Sequence, residues 1–378
     1  MKLTIERAAL LKALGHVQSV VERRNTIPIL SNVLLSAAKG ALAFSATDLD
    51  MEIADETPAQ VDAPGQITAP AHTLFEIVRK LPEGAEVQLS FAGDDPRLQV
   101  QAGRSRFNLP VLPAGDFPVM PSEGLSGRVA IDTGDMIRLI DKTRFAISTE
   151  ETRYYLNGLY LHGVVEEGAA KLRAVATDGR RLALAEMPAP EGFAGAPGVI
   201  IPRKTINEAR RLLDDAGETI ELQISPQKVR FFFGHAALTS KVIDGAFPPY
   251  ERVIPRENRR VLRLDNALFA QAVDRVATIS TEQSRAVKLS VESGRMTLTV
   301  RNMDAGQALE ELEVEYEGEP FEIGFNARYI LDVTAQIGGE TAEFRFAEQA
   351  GGATVLDPTL VLDPTDADVQ YVLMPLRA

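Results

Sequence analysis

The segment Ala46–Asp50 (ATDLD) has a near copy 130 residues further along the chain, at Ala176–Arg180 (ATDGR). A second pair of matches keeps the same offset, because GDFP begins at Gly115 and GAFP begins at Gly245. Equal offsets between independent short matches indicate an internal repeat. The repeat decides the fold, because every copy has to build the same architecture.

Three segments that combine a short strand pattern with a helix pattern indicate three copies of the repeat. The strand patterns begin at Leu3, Val129 and Leu262, and helix patterns follow over 6–24, 134–144 and 265–276. Apolar residues recur in each helix pattern at spacings of three and four, which predicts one buried face per helix. The predicted faces are Leu10, Leu14, Val17 and Val21, then Met136, Leu139, Ile140 and Ile147, then Leu268, Ala272, Val276 and Ile279.

A second helix is predicted inside every copy, at 70–80, 203–213 and 326–337. Pro70 and Pro202 stand where the first two of these begin, and proline suits the first turn of a helix. The runs between helices alternate in places and are bounded by Gly, Asp and Asn, as hairpins are. We therefore predict an α+β chain in which each domain packs two helices on antiparallel sheets. The predicted domains are 1–124, 125–257 and 258–378.

The composition of the 378 residues excludes several kinds of protein. Hydrophobic residues make up 45% and charged residues 25%, which is typical of globular chains and not of disordered or fibrous ones. Cysteine is absent, which removes disulfides and thiolate chemistry and suits a reducing cytosol. The four histidines share no metal-ligand spacing, and no export signal or membrane span is visible. We expect a cytoplasmic protein with no metal site and no membrane partner.

Motifs of the common enzyme classes are missing from the sequence, including the P-loop, GxGxxG, HExxH and GxSxG. The best enzymatic candidate is Asp48, Asp50 and Glu52, whose alternating carboxylates could hold a divalent cation in a metal-dependent hydrolase. The other interpretation is a solvated strand face at a hairpin. The second copy favours it, because Asp178 is followed there by GRR and the carboxylates are not repeated.

The net charge of −13 at first argues against a nucleic-acid partner. However, the six predicted helices together carry +6, which leaves −19 for the rest of the chain. Such a distribution is expected if the helices face a polyanion and the strands face solvent. Charge alone equally allows basic residues that merely populate helix exteriors, as in a repeat scaffold without a DNA role.

Two local features suggest binding surfaces, each with a structural alternative. Basic pairs at helix ends, and a basic residue before two tyrosines, could hold phosphates and stack on a base or sugar. One tyrosine could instead belong to the core and the other to its rim. These residues are Arg23 and Arg24, predicted to end the first helix, Arg203 and Lys204, predicted to open the fourth, and Arg153, Tyr154 and Tyr155.

The apolar chain end, YVLMPLRA from Tyr371, is the second feature. Met374 and Leu376 near Pro248 and Leu182 would make an adaptable peptide groove, because methionine repacks easily. Simple closure of the core is the alternative.

Eight stretches, in order along the whole chain, resemble the family of bacterial DNA polymerase III β subunits, the sliding clamps. They are TIPILSNVLL at Thr26, ATDLDMEI at Ala46, GRSRFNLPVLPAGDFP at Gly103, RYYLNG at Arg153, ATDGRRLA at Ala176, IPRK at Ile201, TSKVIDGAFPPY at Thr239 and YVLMPLRA at Tyr371. The resemblance implies a homodimeric ring of six domains around duplex DNA, with helices lining the hole. It also implies a processivity factor for DNA replication that has no catalytic residue and no cofactor. Its partners would be double-stranded DNA, the polymerase III core, the clamp loader and other proteins with a clamp-binding motif.

The resemblance also implies site residues. DNA contacts would fall on Arg24, Tyr154 and Tyr155, with His72 where relatives carry a basic residue and Glu150 where glutamine is common; Arg203 and Lys204 join this set through their charge. The protomer interface would use Arg104, Arg106 and Phe107 against Thr278 and Ile279. The partner groove would consist of Leu156, Thr177, Gly179, Arg180, Arg181, Leu182, Pro248, Arg252, Val253, Asn326, Tyr329, Val372, Met374, Pro375, Leu376 and Arg377.

Overall fold

Contacts between residues divide the chain into two units, Met1–Met136 with Pro190–Val242 and Ile137–Ala189 with Ile243–Ala378. The computed structural model describes residues 1–93, 96–121, 124–193, 196–280, 285–348 and 356–376. The division runs through the central copy of the repeat, because each unit contains a sheet whose strands come from two of the predicted domains.

Helices and strands alternate along the described chain as the repeat predicts. Residues 2–141 form β1 (Lys2–Glu6), α1 (Arg7–Gln18), β2 (Asn32–Ala38), β3 (Ala41–Thr47), β4 (Met51–Pro58), β5 (Gln60–Ala63), β6 (Gly65–Pro70), α2 (Ala71–Lys80), β7 (Glu86–Ser90), β8 (Arg97–Ala102), β9 (Ser105–Pro110), β10 (Ser126–Asp132) and α3 (Thr133–Asp141). Residues 158–241 form β11 (Gly158–Glu166), β12 (Ala169–Thr177), β13 (Arg181–Pro188), β14 (Val199–Pro202), α4 (Arg203–Leu213), β15 (Thr219–Ile224), β16 (Lys228–Phe233) and β17 (Ala236–Lys241). Residues 260–373 form β18 (Arg260–Asp265), α5 (Asn266–Ala277), β19 (Ala286–Glu292), β20 (Arg295–Asn302), β21 (Gly306–Glu313), β22 (Phe321–Asn326), α6 (Ala327–Thr334), β23 (Thr341–Phe346), β24 (Thr359–Asp363) and β25 (Asp366–Leu373).

The first unit holds two sheets, in strand orders β5-β1-β7-β8-β9 and β10-β15-β16-β17-β4-β3-β2-β6. In the larger sheet, β17 pairs with β4 and places Leu238 opposite Ile53. Both side chains are fully buried, so this junction extends one apolar layer from the first predicted domain into the second. The pairing is antiparallel, as predicted.

The second unit repeats this arrangement. Strands β11-β12-β13-β25-β24-β23-β18 follow one another in one sheet, and β21-β20-β19-β22 form another. Strand β13 pairs antiparallel with β25, which places Leu182 opposite Val372. This junction joins residues of the second and third predicted domains.

The helices bury most of the apolar faces that the spacing predicts. The predicted face residues Val21, Ile147 and Ile279 lie beyond the helix ends, and Ile279 is only half-buried. Helix α1 buries Leu10, Leu14 and Val17 and packs on α2, β3 and β4. In α5 the predicted face included Leu268, which is wrong because that side chain is 54% exposed. The face that α5 buries is set instead by Phe269 and its helical neighbours Ala272, Val273 and Val276.

Helix α1 ends at Gln18, so the prediction that Arg23 and Arg24 end it is wrong. The guanidinium of Arg211, on α4, donates to the carbonyl oxygens of Gly15 and His16 at 3.3 and 2.8 Å. Those carbonyls would accept from the next turn if the helix continued. A partner far away in the sequence therefore caps the helix early.

No helix in the described part of the chain combines the length and the apolar composition that crossing a lipid bilayer requires.

Candidate functional site

The pairing of β13 with β25, two interior strands of their sheet, creates an apolar floor in the second unit. Leu182 and Val372 are 2% and 1% exposed, and they pack in one cluster with Val175, Leu184 and Tyr250. Because the strands are antiparallel, their alternate side chains share one face of the sheet. The floor is therefore fixed by backbone pairing and not by loop conformation.

A cavity of about 290 Å³ opens over this floor. Its lining is mostly apolar, as in sites that hold small apolar side chains. Nine residues predicted for the partner groove line it, namely Leu156, Thr177, Gly179, Arg181, Leu182, Pro248, Val253, Val372 and Met374. The cavity is also lined by Arg153, Tyr155, Pro249 and Tyr250, which the groove prediction missed. They lie within the motifs RYYLNG and TSKVIDGAFPPY, which also contain predicted groove residues. Their position in these motifs could therefore have identified them as part of the groove.

The other predicted groove residues lie outside this lining. Tyr329 covers the guanidinium of Arg181, whose Cζ lies 4.5 Å from the ring centre. The backbone N–H of Leu376 donates to Gly324 at 2.8 Å, which ties the chain end to β22. Asn326 caps α6 by accepting from the Arg328 backbone N–H at 2.9 Å. Arg180 and Arg252 are exposed, Pro375 is half-buried between Met374 and Leu376, and Arg377 lies outside the described residues.

Arg181 supports the floor from below. Its guanidinium donates to Asp332 at 2.5 Å, to the Phe145 carbonyl at 2.6 Å and to Asp178 at 3.1 Å. The residue is only 8% exposed, so these bonds offset the cost of burying its charge. We assign Arg181 a structural role beneath the cavity.

One wall of the cavity consists of Arg153 laid against Gly179. Glu150 accepts from Arg153 Nε at 2.9 Å and from Nη2 at 2.7 Å. Gly179 has a φ of +82°, and a Cβ at this position would overlap Arg153 Nη1. Glycine is favoured here, because it adopts this backbone freely and leaves the guanidinium in place.

A buried polar chain runs behind the cavity. The Tyr250 hydroxyl lies 3.1 Å from His162 Nε2 and accepts from Arg173, which in turn donates to Glu186. Burial, aided by the charge of Arg173, lowers the pKa of His162 to about 4. Burial raises the pKa of Tyr250 to about 12. Both groups are therefore uncharged near neutral pH, which keeps the floor of the cavity apolar.

The residues proposed to face DNA differ in whether their side chains are exposed or already bound to other groups of the protein. Arg24 and Arg203 are exposed, and neither forms an ion pair with a described residue. Tyr154 is 53% exposed, whereas Tyr155 meets it edge to face at 5.8 Å and lines the cavity. The Glu150 carboxylate is already bound by Arg153.

His72 and Lys204 are held by other parts of the first unit. Both ring nitrogens of His72 lie 2.9 Å from protein groups, the Gln18 side chain and the Val21 carbonyl. Lys204 donates to Asp48 and to Glu22, the latter at 3.3 Å. Burial alone would lower the pKa of Lys204, but these bonds raise it.

The carboxylates of the hydrolase alternative do not converge. Asp48 accepts from two backbone N–H groups of its own turn and from Lys204, and Asp50 pairs with Lys241. Glu52 accepts from the Met120 backbone N–H at 2.8 Å. Among the described residues no group of three His, Asp or Glu side chains could hold a metal ion.

The residues predicted for the protomer interface lie at one edge strand and at the end of one helix. Strand β9 is an edge of its sheet, and Arg104 and Arg106 are exposed there beside half-buried Phe107. Thr278 and Ile279 follow the last residue of α5, and the Ile279 carbonyl accepts from Asn302 at 2.8 Å. Strand β21 is an edge strand of the four-stranded sheet of the second unit, next to β20. It was not predicted as part of this interface.

Comparison with known proteins gives consistent matches over the full length. Models of the DNA polymerase III beta subunit match residues 1–121 as its N-terminal domain, 130–249 as its central domain and 251–377 as its C-terminal domain. The beta sliding clamp of Caulobacter vibrioides is 77% identical over 100% of both chains. A crystal structure of the Caulobacter crescentus beta sliding clamp superposes with a TM-score of 0.96 and 77% identity, covering 100% of this chain and 99% of the other. The Bartonella birtlesii sliding clamp bound to griselimycin superposes with a TM-score of 0.95 and 45% identity, covering 100% of both chains.

Proposed function

This chain belongs to the family of bacterial DNA polymerase III β subunits, and we propose that its exposed arginines and its apolar cavity are the surfaces through which it acts. It is a DNA sliding clamp: as a homodimeric ring it encircles duplex DNA and tethers the replicative polymerase and other partners. It is an accessory subunit and catalyses no reaction itself.

Encirclement explains why few DNA contacts suffice. A closed ring leaves DNA only by opening or by passing an end, so its affinity for phosphate need not be high. Contacts from Arg24, Arg203 and Tyr154 to the backbone carry no sequence information, and arginine can pass from one phosphate to the next. The ring can therefore slide while the bound polymerase gains effective concentration at the primer end.

The cavity is the surface that we propose binds the polymerase and other partners. Its floor of Leu182 and Val372 and its adaptable Met374 suit one or two apolar side chains of a short extended segment. We propose this binding mode for the polymerase, the clamp loader and other partners. Because one cavity admits one segment at a time, partners on the same protomer compete.

Deletion of 374–378 tests the cavity, because it removes one lining residue and leaves β25 complete. We expect the truncated protein to remain a dimer and to lose stimulation of polymerase processivity, measured as product length on primed circular DNA. Full stimulation by a dimeric truncated protein would contradict the assignment of the cavity.

The interface proposal rests on two edge strands of opposite charge. Arg104 and Arg106 lie at β9, while Glu311 and Glu313 are exposed on β21. Edge strands present unpaired backbone groups, so β9 of one protomer can pair with β21 of the other and close the ring. Arginine facing glutamate would fix which strands meet.

Two further expectations remain proposals. We place the domain limits at 1–124, 125–257 and 258–378, since both joints are polar and rich in turns. We place the protein in the cytoplasm, where bacterial DNA is replicated.

A further inference from the structure

Residues 19–27, which we call the arginine loop, carry Arg23 and Arg24 into solvent. The loop begins directly after the last residue of α1. Its start is firmly packed, since Val20 and Val21 are 0% and 3% exposed, whereas both arginines are exposed. The buried half of the loop therefore determines where the two arginines are presented.

His72, in the first turn of α2, holds this buried half. Its Nε2 donates to the Val21 carbonyl oxygen at 2.9 Å, and its Nδ1 lies 2.9 Å from the side-chain amide of Gln18. One imidazole thus joins the last residue of α1 to the loop that follows. With both ring nitrogens occupied, His72 has no donor left for a phosphate.

Two other contacts hold the same loop from α4. Arg211 donates to the Ser19 hydroxyl at 2.7 Å, and Ser19 donates to Glu208 at 2.7 Å. Lys204 reaches Glu22, directly before the two arginines, at 3.3 Å. Both helices thus bind the part of the loop that leads into Arg23: α4 holds Ser19 and Glu22, and His72 supplies the link from α2.

We propose that His72 is a positioning residue for DNA binding, which holds the arginine loop so that Arg23 and Arg24 meet the phosphate backbone. This inference rests on the proposed function, in which that loop faces the duplex. It gives His72 a role different from the direct contact that the resemblance implies. His72 can act in this way without touching DNA, because the loop and not the ring meets the phosphates.

A double-mutant cycle separates positioning from contact. Binding of the dimer to a short labelled duplex would be measured by fluorescence anisotropy at low salt for His72→Ala, for Arg23→Ala with Arg24→Ala, and for all three together. We expect His72→Ala to weaken binding about fivefold, as loss of one or two hydrogen bonds to the loop allows. In the background lacking both arginines we expect no further loss from His72→Ala.

Two further variants distinguish loss of the hydrogen bonds from general damage to α2. His72→Gln should restore most of the affinity, because a glutamine amide can donate to the Val21 carbonyl, and Thr73→Ala, an exposed neighbour on α2, should change nothing. Hydrogen exchange of the amides in residues 20–24 should accelerate in His72→Ala and not in Thr73→Ala. An additive loss in the triple variant would overturn the inference and favour direct contact of His72 with DNA. Unchanged binding by His72→Ala would overturn both the positioning role and direct contact. Unchanged binding after loss of both arginines would instead refute the DNA-facing role of the loop.

Discussion

At the scale of single residues, Gly179 is the position where a special backbone conformation meets the wall of the proposed partner cavity. Its φ of +82° favours glycine, and the space where a Cβ would lie is taken by Arg153. Glu150 in turn fixes Arg153. A change at Gly179 therefore acts on the cavity wall as well as on the backbone.

We predict that Gly179→Ala weakens binding of a partner peptide at least several-fold, because Arg153 has to leave its place in the wall. Backbone strain should also cost about 1 kcal/mol of stability. The measurement is a titration of the variant with a fluorescent peptide from a clamp-binding partner, next to its thermal unfolding.

Gly234→Ala is the matched control. Gly234 has a φ of +71° but no heavy atom within 4 Å of the Cβ position. Gly234→Ala therefore has the same kind of backbone strain as Gly179→Ala but displaces no neighbouring side chain. Equal loss of peptide binding in the two variants would show that Arg153 plays no part in the wall.

At the scale of elements, His16 joins α1, β4 and the segment after α4. Its Nδ1 lies 2.7 Å from Asp55, and its Nε2 lies 2.9 Å from Asp215. Burial alone would lower the pKa of His16, but the bonds to the two carboxylates outweigh it and raise the pKa above 6.5. Asp55 and Asp215 belong to the first and second predicted domains, so the imidazolium links strands and helices of both.

A raised pKa has a definite consequence for stability against pH. The stabilisation by His16 is complete below pH 6.5 and is lost as pH rises through the raised pKa of the folded state. His16→Asn should therefore cost more at pH 6 than at pH 9, on the order of 3 kcal/mol at the lower pH, because Asp55 is left buried without its counter-charge.

Urea unfolding at the two pH values measures this difference. His235→Asn is the control, since His235 is exposed. A cost for His16→Asn that is the same at pH 6 and pH 9 would rule out a charged His16 as the link.

Some properties of the helices could be predicted from the sequence and others could not. Spacing located all six α-helices of the described chain, because amphipathic periodicity depends on neighbours three and four residues away. It could not predict the end of α1, which Arg211 decides from a distance of 195 residues. In α5 an apolar residue fits two adjacent helix faces, and only packing shows that Phe269 is inside and Leu268 outside.

For the candidate site, motifs located the cavity but not its full lining. Leu182 and Val372 were predicted, and their pairing across β13 and β25 explains how residues 190 positions apart form one floor. The resemblance assigned Tyr155 to DNA together with Tyr154, whereas the structure puts Tyr155 in the cavity lining. Which side of a short segment a side chain takes depends on tertiary packing, which no local pattern contains.

At the scale of the whole molecule, part of the positive charge on the helices is paired with carboxylates of the same chain. The summed charge of the helices therefore overstates the charge that can attract DNA. Arg138 is bound to Asp366 and Arg275 to Glu310, each at 2.5 Å, and Arg210 to Asp214 at the same distance. These carboxylates compete with phosphate for the arginines. Arg24 and Arg203, which are exposed, are the groups that we propose to meet DNA, and so small a set agrees with a protein that holds DNA by topology and slides on weak contacts.

Retention on DNA of different topology tests this account most directly. The clamp would be loaded onto nicked circular DNA by a clamp loader, and the bound fraction would be measured by gel filtration before and after one cut linearises the circle. Arg24→Ala tests the contacts, and Arg104→Glu with Arg106→Glu, which would set like charges against the glutamates of β21 in the proposed interface, tests closure of the ring. We predict that the clamp stays on the circle and leaves the linear DNA, that Arg24→Ala has a smaller effect than the cut, and that the charge-reversed protein is retained on neither. Equal retention of the unaltered clamp on circular and linear DNA would contradict encirclement.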